Sequence, residues 1–185
     1  MALLLLLLGL LRAVDAYSVN ENCEVVLTDA DTDPFGWGVT HALFIRSKDD
    51  LDALKASVAH CADGWRIMGG GLTLQGADDV ADLEALSGLV GIDGKESQRG
   101  RSLYIYNNAN LESLAGLRNL KGTLPGALIV SMNYKLKSIA GLEGVARIEG
   151  KDSDGYSVDI RLNNAMCLPA ADRARLTSCA DTECS

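Results

Sequence analysis

Apolar residues recur along the chain on a template of about 30 residues, which is the signature of a repeat architecture. Each copy begins with two apolar residues separated by one position, and further apolar residues follow at offsets 8, 11, 14 and 17, with offset 20 filled in two copies. The copies begin at Leu43, Leu72, Leu103, Leu128 and Val158, in steps of 29, 31, 25 and 30 residues. The first copy is weaker than the three central ones, and the last is partial.

The start of each copy predicts a short β-strand, because alternating apolar positions place one face of a strand in the core. A single copy cannot bury its apolar residues alone, so successive copies are expected to stack. We therefore predict a β-solenoid, a right-handed coil like that of leucine-rich repeats, with four to five turns and a parallel sheet on one side. Short capping helices are predicted at both ends, one from Lys48 to Ala59 with Ser47 as its N-cap and one from Pro169 to Ser178.

Asparagine occupies offset 5 in three copies, as Asn108, Asn133 and Asn163. An asparagine inside a turn can hydrogen-bond the backbone of its own and neighbouring copies. A ladder of asparagine side chains that satisfies buried backbone groups is favoured over ligand binding, because buried polar groups need partners.

Residues at offsets 1 and 3 of the strands are expected to face solvent, because strand side chains alternate. Exposed aromatic residues within a polar rim are common anchors of recognition surfaces. The hypothesis is that this face binds a partner; the alternative is that Tyr and Ile are present because they suit a strand. The residues assigned to the binding face are Phe44, Tyr104, Tyr106, Ile129, Ser131 and Arg161.

The N-terminus carries a leucine run from Leu3 to Leu8, which is short for a membrane span and typical of the apolar region of a signal peptide. Small residues at Val14 and Ala16 predict cleavage after residue 16, with an uncleaved anchor as the alternative. The predicted organisation is a signal peptide (1–16), an N-terminal flank (17–40), the repeat region (41–170) and a cysteine-containing C-terminal cap (171–185).

Five cysteines lie in two groups at the ends of the chain, and a predicted extracellular location favours disulfides between them. Cys23 is expected to pair with Cys61, and Cys167 with either Cys179 or Cys184, which leaves one thiol free or intermolecular. No CxxC motif or Cys/His spacing indicates zinc.

The acidic charge balance limits the classes of partner. With 17 Lys and Arg against 25 Asp and Glu, the net charge is −8, which disfavours nucleic acids and anionic membranes. Asp29, Asp31 and Asp33 begin like a calcium loop, but Pro34 replaces the required glycine. No hydrolase or metalloprotease motif occurs, so no cofactor, no metal and no catalytic residue are predicted.

The segments LYIYNNANLESLAGLRNL (103–120) and LIVSMNYKLKSIAGLEGVARIEG (128–150), and the closing NNAMCLP (163–169), resemble receptor L domains. These are the leucine-rich modules of insulin- and EGF-receptor ectodomains and of fungal glycolipid-anchored cell-wall proteins. The leucine three residues after Asn108 and Asn133 is typical of that form; ordinary leucine-rich repeats place it two residues after. The resemblance spans roughly residues 41 to 170 and implies a binding role, but no receptor signalling, since no kinase or membrane span accompanies it.

Taken together, these observations predict a secreted or cell-surface, non-catalytic module that recognises an extracellular protein or glycan. The alternatives are a structural cell-wall or surface protein and a glycan-active enzyme, since repeat folds also host polysaccharide hydrolases. No membrane span is expected in the mature chain, and the sequence does not indicate which ligand is bound.

Overall fold

The computed structural model describes residues 17–27, 42–93, 99–163 and 170–176, and this part of the chain contains eleven strands and two α-helices. The helices are α1 (Lys48–Ser57) and α2 (Ala170–Leu176). Two short 3-10 helices cover Glu84–Leu86 and Ala115–Leu117. The strands are β1 (Tyr17–Val19), β2 (Glu24–Leu27), β3 (Ala42–Ile45), β4 (Trp65–Met68), β5 (Gly71–Gln75), β6 (Leu89–Ile92), β7 (Arg101–Tyr106), β8 (Gly122–Leu124), β9 (Ala127–Ser131), β10 (Val145–Ile148) and β11 (Val158–Arg161).

The strands form three separate sheets, and the prediction of a β-solenoid was therefore wrong. A five-stranded parallel sheet has the order β11-β9-β7-β5-β3, a four-stranded sheet has the order β1-β2-β4-β6, and β8 pairs with β10. The fold is mixed α/β, with mostly parallel strands and one antiparallel pair, β1 with β2. The prediction failed for two reasons. The apolar residues at offsets 17 and 20 form the further strands β6 and β10, and the predicted N-terminal flank supplies the strands β1 and β2.

The five-stranded sheet is built from the first residues of each repeat copy. Its register aligns Leu43, Leu72, Leu103, Leu128 and Val158 across neighbouring strands. These residues are at most 2% exposed, and they belong to one continuous apolar core that also takes in the four-stranded sheet. Burial of an aliphatic side chain contributes about 1.5–3 kcal/mol, so each of these repeated residues stabilises the fold by an amount of that order.

Three fully buried asparagines form a hydrogen-bonded ladder beside this sheet. Asn108 donates its backbone N–H to Asn133 Oδ1 (3.1 Å), and Asn133 donates its own N–H to Asn163 Oδ1 (3.0 Å). Their side-chain amides donate to backbone carbonyls of the preceding strands, Leu74, Ile105 and Val130. These side chains hold neighbouring turns together and offer no group to a ligand.

Helix α1 begins at Lys48 and ends at Ser57, within the predicted range, and its N-cap is confirmed. Ser47 Oγ accepts from Asp50 N (3.2 Å), and the Asp50 carboxylate accepts in return from Arg46 N (2.8 Å). The side chains of Leu51 and Leu54 then pack into the core. Helix α2 lies within the range predicted for the second helix.

The predicted disulfide between Cys23 and Cys61 is confirmed; their Cα atoms are 5.6 Å apart. It connects the turn before β2 to the loop after α1. The predictions for residues 1–16, for Asp29, Asp31 and Asp33, and for Cys167, Cys179 and Cys184 concern residues outside the described part of the chain.

Close approach of successive turns requires glycine at Gly116. A Cβ atom there would lie 1.8 Å from the Leu83 carbonyl oxygen, a backbone atom of the preceding repeat. No side chain larger than hydrogen fits this contact unless the backbone at Gly116 or Leu83 moves.

Candidate functional site

The face of the five-stranded sheet opposite the leucine core carries two rows of side chains, which we call the outer face. Parallel register places each residue beside its equivalent in the next copy. The first row is Phe44, Thr73, Tyr104, Ile129 and Asp159, and the second row is Gln75, Tyr106, Ser131 and Arg161. The sheet thus brings all six residues predicted for the binding face together on one surface.

Exposure along these rows differs from the expectation based on strand alternation. Tyr104, Tyr106 and Arg161 are partly exposed, whereas Ile129 and Ser131 are each 3% exposed. Ser131 lies between the longer side chains of Tyr106 and Arg161, and Ile129 lies between Tyr104 and Asp159. Ile129 and Ser131 therefore support the surface from within and do not form its exposed part, which corrects the prediction.

Two tyrosines form the centre of the outer face. The rings of Tyr104 and Tyr106 stack with centroids 5.4 Å apart and planes 8° from parallel. The Arg101 guanidinium lies 4.2 Å from the centroid of the Tyr104 ring. Arg101 precedes and Tyr106 follows Tyr104 along β7, and both contact its ring. All three residues are partly exposed.

Arg101 reaches the outer face through an irregularity in β7. Strict alternation would place Arg101, three residues before Tyr104, in the core. The register of β7 with β9 instead shifts between Arg101 and Leu103, and both Ser102 and Leu103 are buried. Ser102 Oγ accepts from Gly126 N (2.6 Å), which fixes the inward turn of this extra residue. Such a bulge redirects side chains, and the apolar pattern alone gave no signal of it.

A buried carboxylate holds Arg101 in place. Asp152 Oδ2 lies 3.4 Å from Arg101 Nη2, and the side chains are 3% and 13% exposed. The other oxygen, Oδ1, accepts from the backbone N–H groups of Asp154 and Tyr156, both at 3.0 Å. Asp152 therefore connects the loop before β11 to the aromatic stack, a role that sequence analysis missed.

Each of the other partly exposed aromatic groups on this side also lies near an arginine. Arg46 lies 4.8 Å from the Phe44 ring, and Arg161 lies 5.7 Å from the Tyr156 ring. Arg161 also pairs with the buried Asp159 (2.8 Å). Cation–π contacts of this kind contribute about 0.5–1 kcal/mol each at exposed sites. Tyr156, which is 43% exposed, extends the surface beyond the residues that the sequence identified.

The ionisation of Tyr104 follows from its surroundings. Burial raises the pKa of the Tyr104 hydroxyl, while the nearby Arg101 charge acts in the opposite direction and is the smaller effect. The hydroxyl consequently stays neutral at physiological pH and can both donate and accept a hydrogen bond. The two carboxylates of this region, Asp152 and Asp159, are each paired with an arginine. The arrangement is suited to stacking and hydrogen bonding with a partner.

Comparison of the chain with protein-family models, with curated proteins and with solved structures found no match. In the part of the chain that the structure describes, no helix has the length and apolar character needed to cross a membrane.

Proposed function

We propose that this chain is a secreted or cell-surface binding module that recognises an extracellular protein or glycan through the outer face. The observation that carries the proposal is the stack of Arg101, Tyr104 and Tyr106 at the centre of that face. Tyrosine supplies a large amphipathic contact area with little side-chain entropy to lose, and it is enriched among residues that dominate binding energy.

Preorganisation strengthens the argument. Tyr104 contacts a guanidinium and a second ring, and Arg101 is held by Asp152, itself fixed by two backbone N–H groups. A partner therefore meets side chains that already occupy one geometry, so less conformational entropy is lost on binding.

The extracellular location is supported by two independent features. The Cys23–Cys61 disulfide is typical of oxidising compartments, and the leucine run at the N-terminus resembles a signal peptide. The resemblance of residues 41–170 to receptor L domains adds a binding role of the same kind. N-terminal sequencing of the secreted chain tests this part: we expect a start at Tyr17, and a start at Met1 would contradict it.

The binding role is tested with a Tyr104→Ala/Tyr106→Ala double variant. The wild-type chain is first used to identify ligands from a glycan array and from extracellular protein of the source organism. We expect the double variant to bind the identified ligand more weakly by about 2 kcal/mol or more, which is roughly 30-fold. Tyr134→Ala is the matched control, because Tyr134 is 46% exposed and lies outside the outer face.

The expected pattern is loss of binding in the double variant and wild-type affinity in the control, with both variants unfolding at temperatures close to that of the parent. Equal affinity of the folded double variant and the wild type would exclude the outer face. A hit on the glycan array identifies a glycan ligand, whereas a protein captured from the extract that still binds after its glycans are removed identifies a protein ligand.

A further inference from the structure

The fold brings a histidine beside the disulfide. The ligand atoms of Cys23, His60 and Cys61 all lie within 4.8 Å of one another. His60 is exposed, Cys23 is half-buried and Cys61 is 9% exposed, so the cluster is open to solvent on the histidine side. The cysteines are 38 residues apart, which is why no metal-binding motif is visible in the sequence.

Two sulfur atoms and one imidazole nitrogen are a donor set that zinc prefers. In a tetrahedral site with Zn–S bonds of about 2.3 Å and Zn–N bonds of about 2.0 Å, neighbouring ligand atoms are about 3.4–3.8 Å apart. The 4.8 Å limit on the present cluster is compatible with such a site after small rotations of the side chains. The open side leaves room for water as the fourth ligand.

The backbone positions of both cysteines are held by hydrogen bonds that do not depend on the disulfide. Cys23 N donates to Asn20 O (3.1 Å), and Cys23 O accepts from Arg66 N (3.0 Å). Cys61 N donates to Val58 O (3.0 Å), and Cys61 O accepts from Gly64 N (3.1 Å). The two sulfur atoms therefore stay close together when the bond between them is broken.

We propose that reduction of the Cys23–Cys61 disulfide converts this cluster into a binding site for Zn²⁺ or a similar borderline-soft divalent cation. A dithiol reductant supplies two electrons and two protons, becomes a disulfide itself, and leaves two thiols on Cys23 and Cys61. Binding of the ion displaces both thiol protons, and neutral His60 contributes one ring nitrogen. The oxidised chain does not bind the ion, because its sulfur atoms are joined to each other.

The disulfide and the metal ion thus serve as alternative links between the same two segments, the turn before β2 and the loop after α1. In an oxidising environment the link is covalent. Under reducing conditions the ion restores it, since a ligand that binds only the folded state stabilises that state.

Cobalt(II), which replaces zinc in such sites and absorbs light, tests the proposal in the full chain with Cys167, Cys179 and Cys184 replaced by Ser. The disulfide is reduced with a phosphine, the phosphine is removed without air, and Co²⁺ is titrated. We expect one equivalent to produce a thiolate-to-cobalt charge-transfer band, to be displaced by Zn²⁺, and to give no band in the oxidised chain.

Three variants separate the cluster from adventitious binding. Cys61→Ser should abolish the charge-transfer band, whereas Asp63→Asn, an exposed neighbour outside the cluster, should leave it unchanged. His60→Ala keeps both cysteines and should weaken Co²⁺ binding at least about tenfold, as loss of a ligand costs no less than loss of an outer-sphere partner. Zn²⁺ should raise the unfolding temperature of the reduced chain and leave that of the oxidised chain unchanged.

Absence of the band in the reduced parent would overturn the proposal. So would a Co²⁺ dissociation constant for His60→Ala equal to that of the parent, even if Cys61→Ser failed to fold. Zn²⁺ stabilisation of equal size in the oxidised and reduced chains would also overturn it, because binding would then be independent of the thiols.

Discussion

Asn133 is the central member of the asparagine ladder, and Asn133→Ala should be among the most destabilising single substitutions. The residue is fully buried. Its Oδ1 accepts from both the backbone N and Nδ2 of Asn108 (3.1 and 2.9 Å). Its Nδ2 lies within hydrogen-bond distance of Ile105 O, Ser131 O and Asn163 Oδ1. Alanine removes all of these interactions and cannot replace any.

The size of the effect follows from what is left unpaired. The backbone N–H of Asn108 loses its acceptor in a site that water does not reach, at a cost of about 1–3 kcal/mol. The four hydrogen bonds of the Asn133 side-chain amide contribute about 0.5 kcal/mol each. This is the low end of the usual range, because the acceptors of Nδ2 outnumber its hydrogens. Ser131 O still accepts from Asn107 N in the variant, so it is not left unpaired and adds no further cost. The sum is about 3–5 kcal/mol.

Equilibrium urea unfolding, followed by circular dichroism, measures this difference. Asn110→Ala is the matched control: Asn110 is exposed, and its side chain hydrogen-bonds Asp78 O and the Lys135 ammonium. Substitution at such a surface site should change the free energy of unfolding by about 0.5 kcal/mol. If Asn133→Ala cost no more than Asn110→Ala, the ladder would not be the element that holds the repeats together.

Two further predictions concern the hydroxyl of Tyr104 and the close turn contact at Gly116. Because burial raises the pKa of Tyr104 in the folded state, the unfolded chain ionises first as pH rises, and stability should fall from about pH 10 upward. Tyr104→Phe should remove the part of this decline that comes from Tyr104. Urea unfolding at pH values from about 9 to 11, about one unit either side of the ordinary tyrosine pKa, measures it. If the free energy of unfolding of this variant fell with pH as steeply as that of the wild type, the prediction would be wrong. Gly116→Ala should cost about 3 kcal/mol or more, because its Cβ would overlap the Leu83 carbonyl. Gly122→Ala, at φ +86° with open space around it, should cost only about 1–2 kcal/mol of backbone strain; equal losses for the two would show that the turn contact yields.

Only part of the candidate site could be predicted from the sequence. The alternation of apolar residues identified which side of each strand faces the core, and so it brought Tyr104 and Tyr106 onto one surface. It did not reveal that Ile129 and Ser131 would be covered, because that depends on which side chains lie beside them on the adjacent strands. Arg101 was missed because the β-bulge that turns it outward is a feature of how β7 pairs with β9.

The cluster of Cys23, His60 and Cys61 also could not be predicted from the sequence alone. His60 and Cys61 are adjacent in sequence, but the third member of the cluster, Cys23, is 38 residues from Cys61. The distribution of the five cysteines along the chain predicted the correct pair for the disulfide. The proximity of the histidine depends on the path of the loop after α1, which the sequence pattern does not specify.

The sequence by itself determined the inward residues of the repeat strands, the cap of α1 and the Cys23–Cys61 pairing, because each depends on local alternation, on a side chain beside its own backbone, or on a small number of cysteines. The division of the strands into three sheets was decided only by tertiary structure. Periodicity records which residues avoid water, but it does not record which backbone edges pair. The segments around Leu89 and Val145 pair as strands with β4 and β8. Pairing between segments distant in the chain depends on all of their neighbours at once, so it also decided which side chains of the outer face remained exposed.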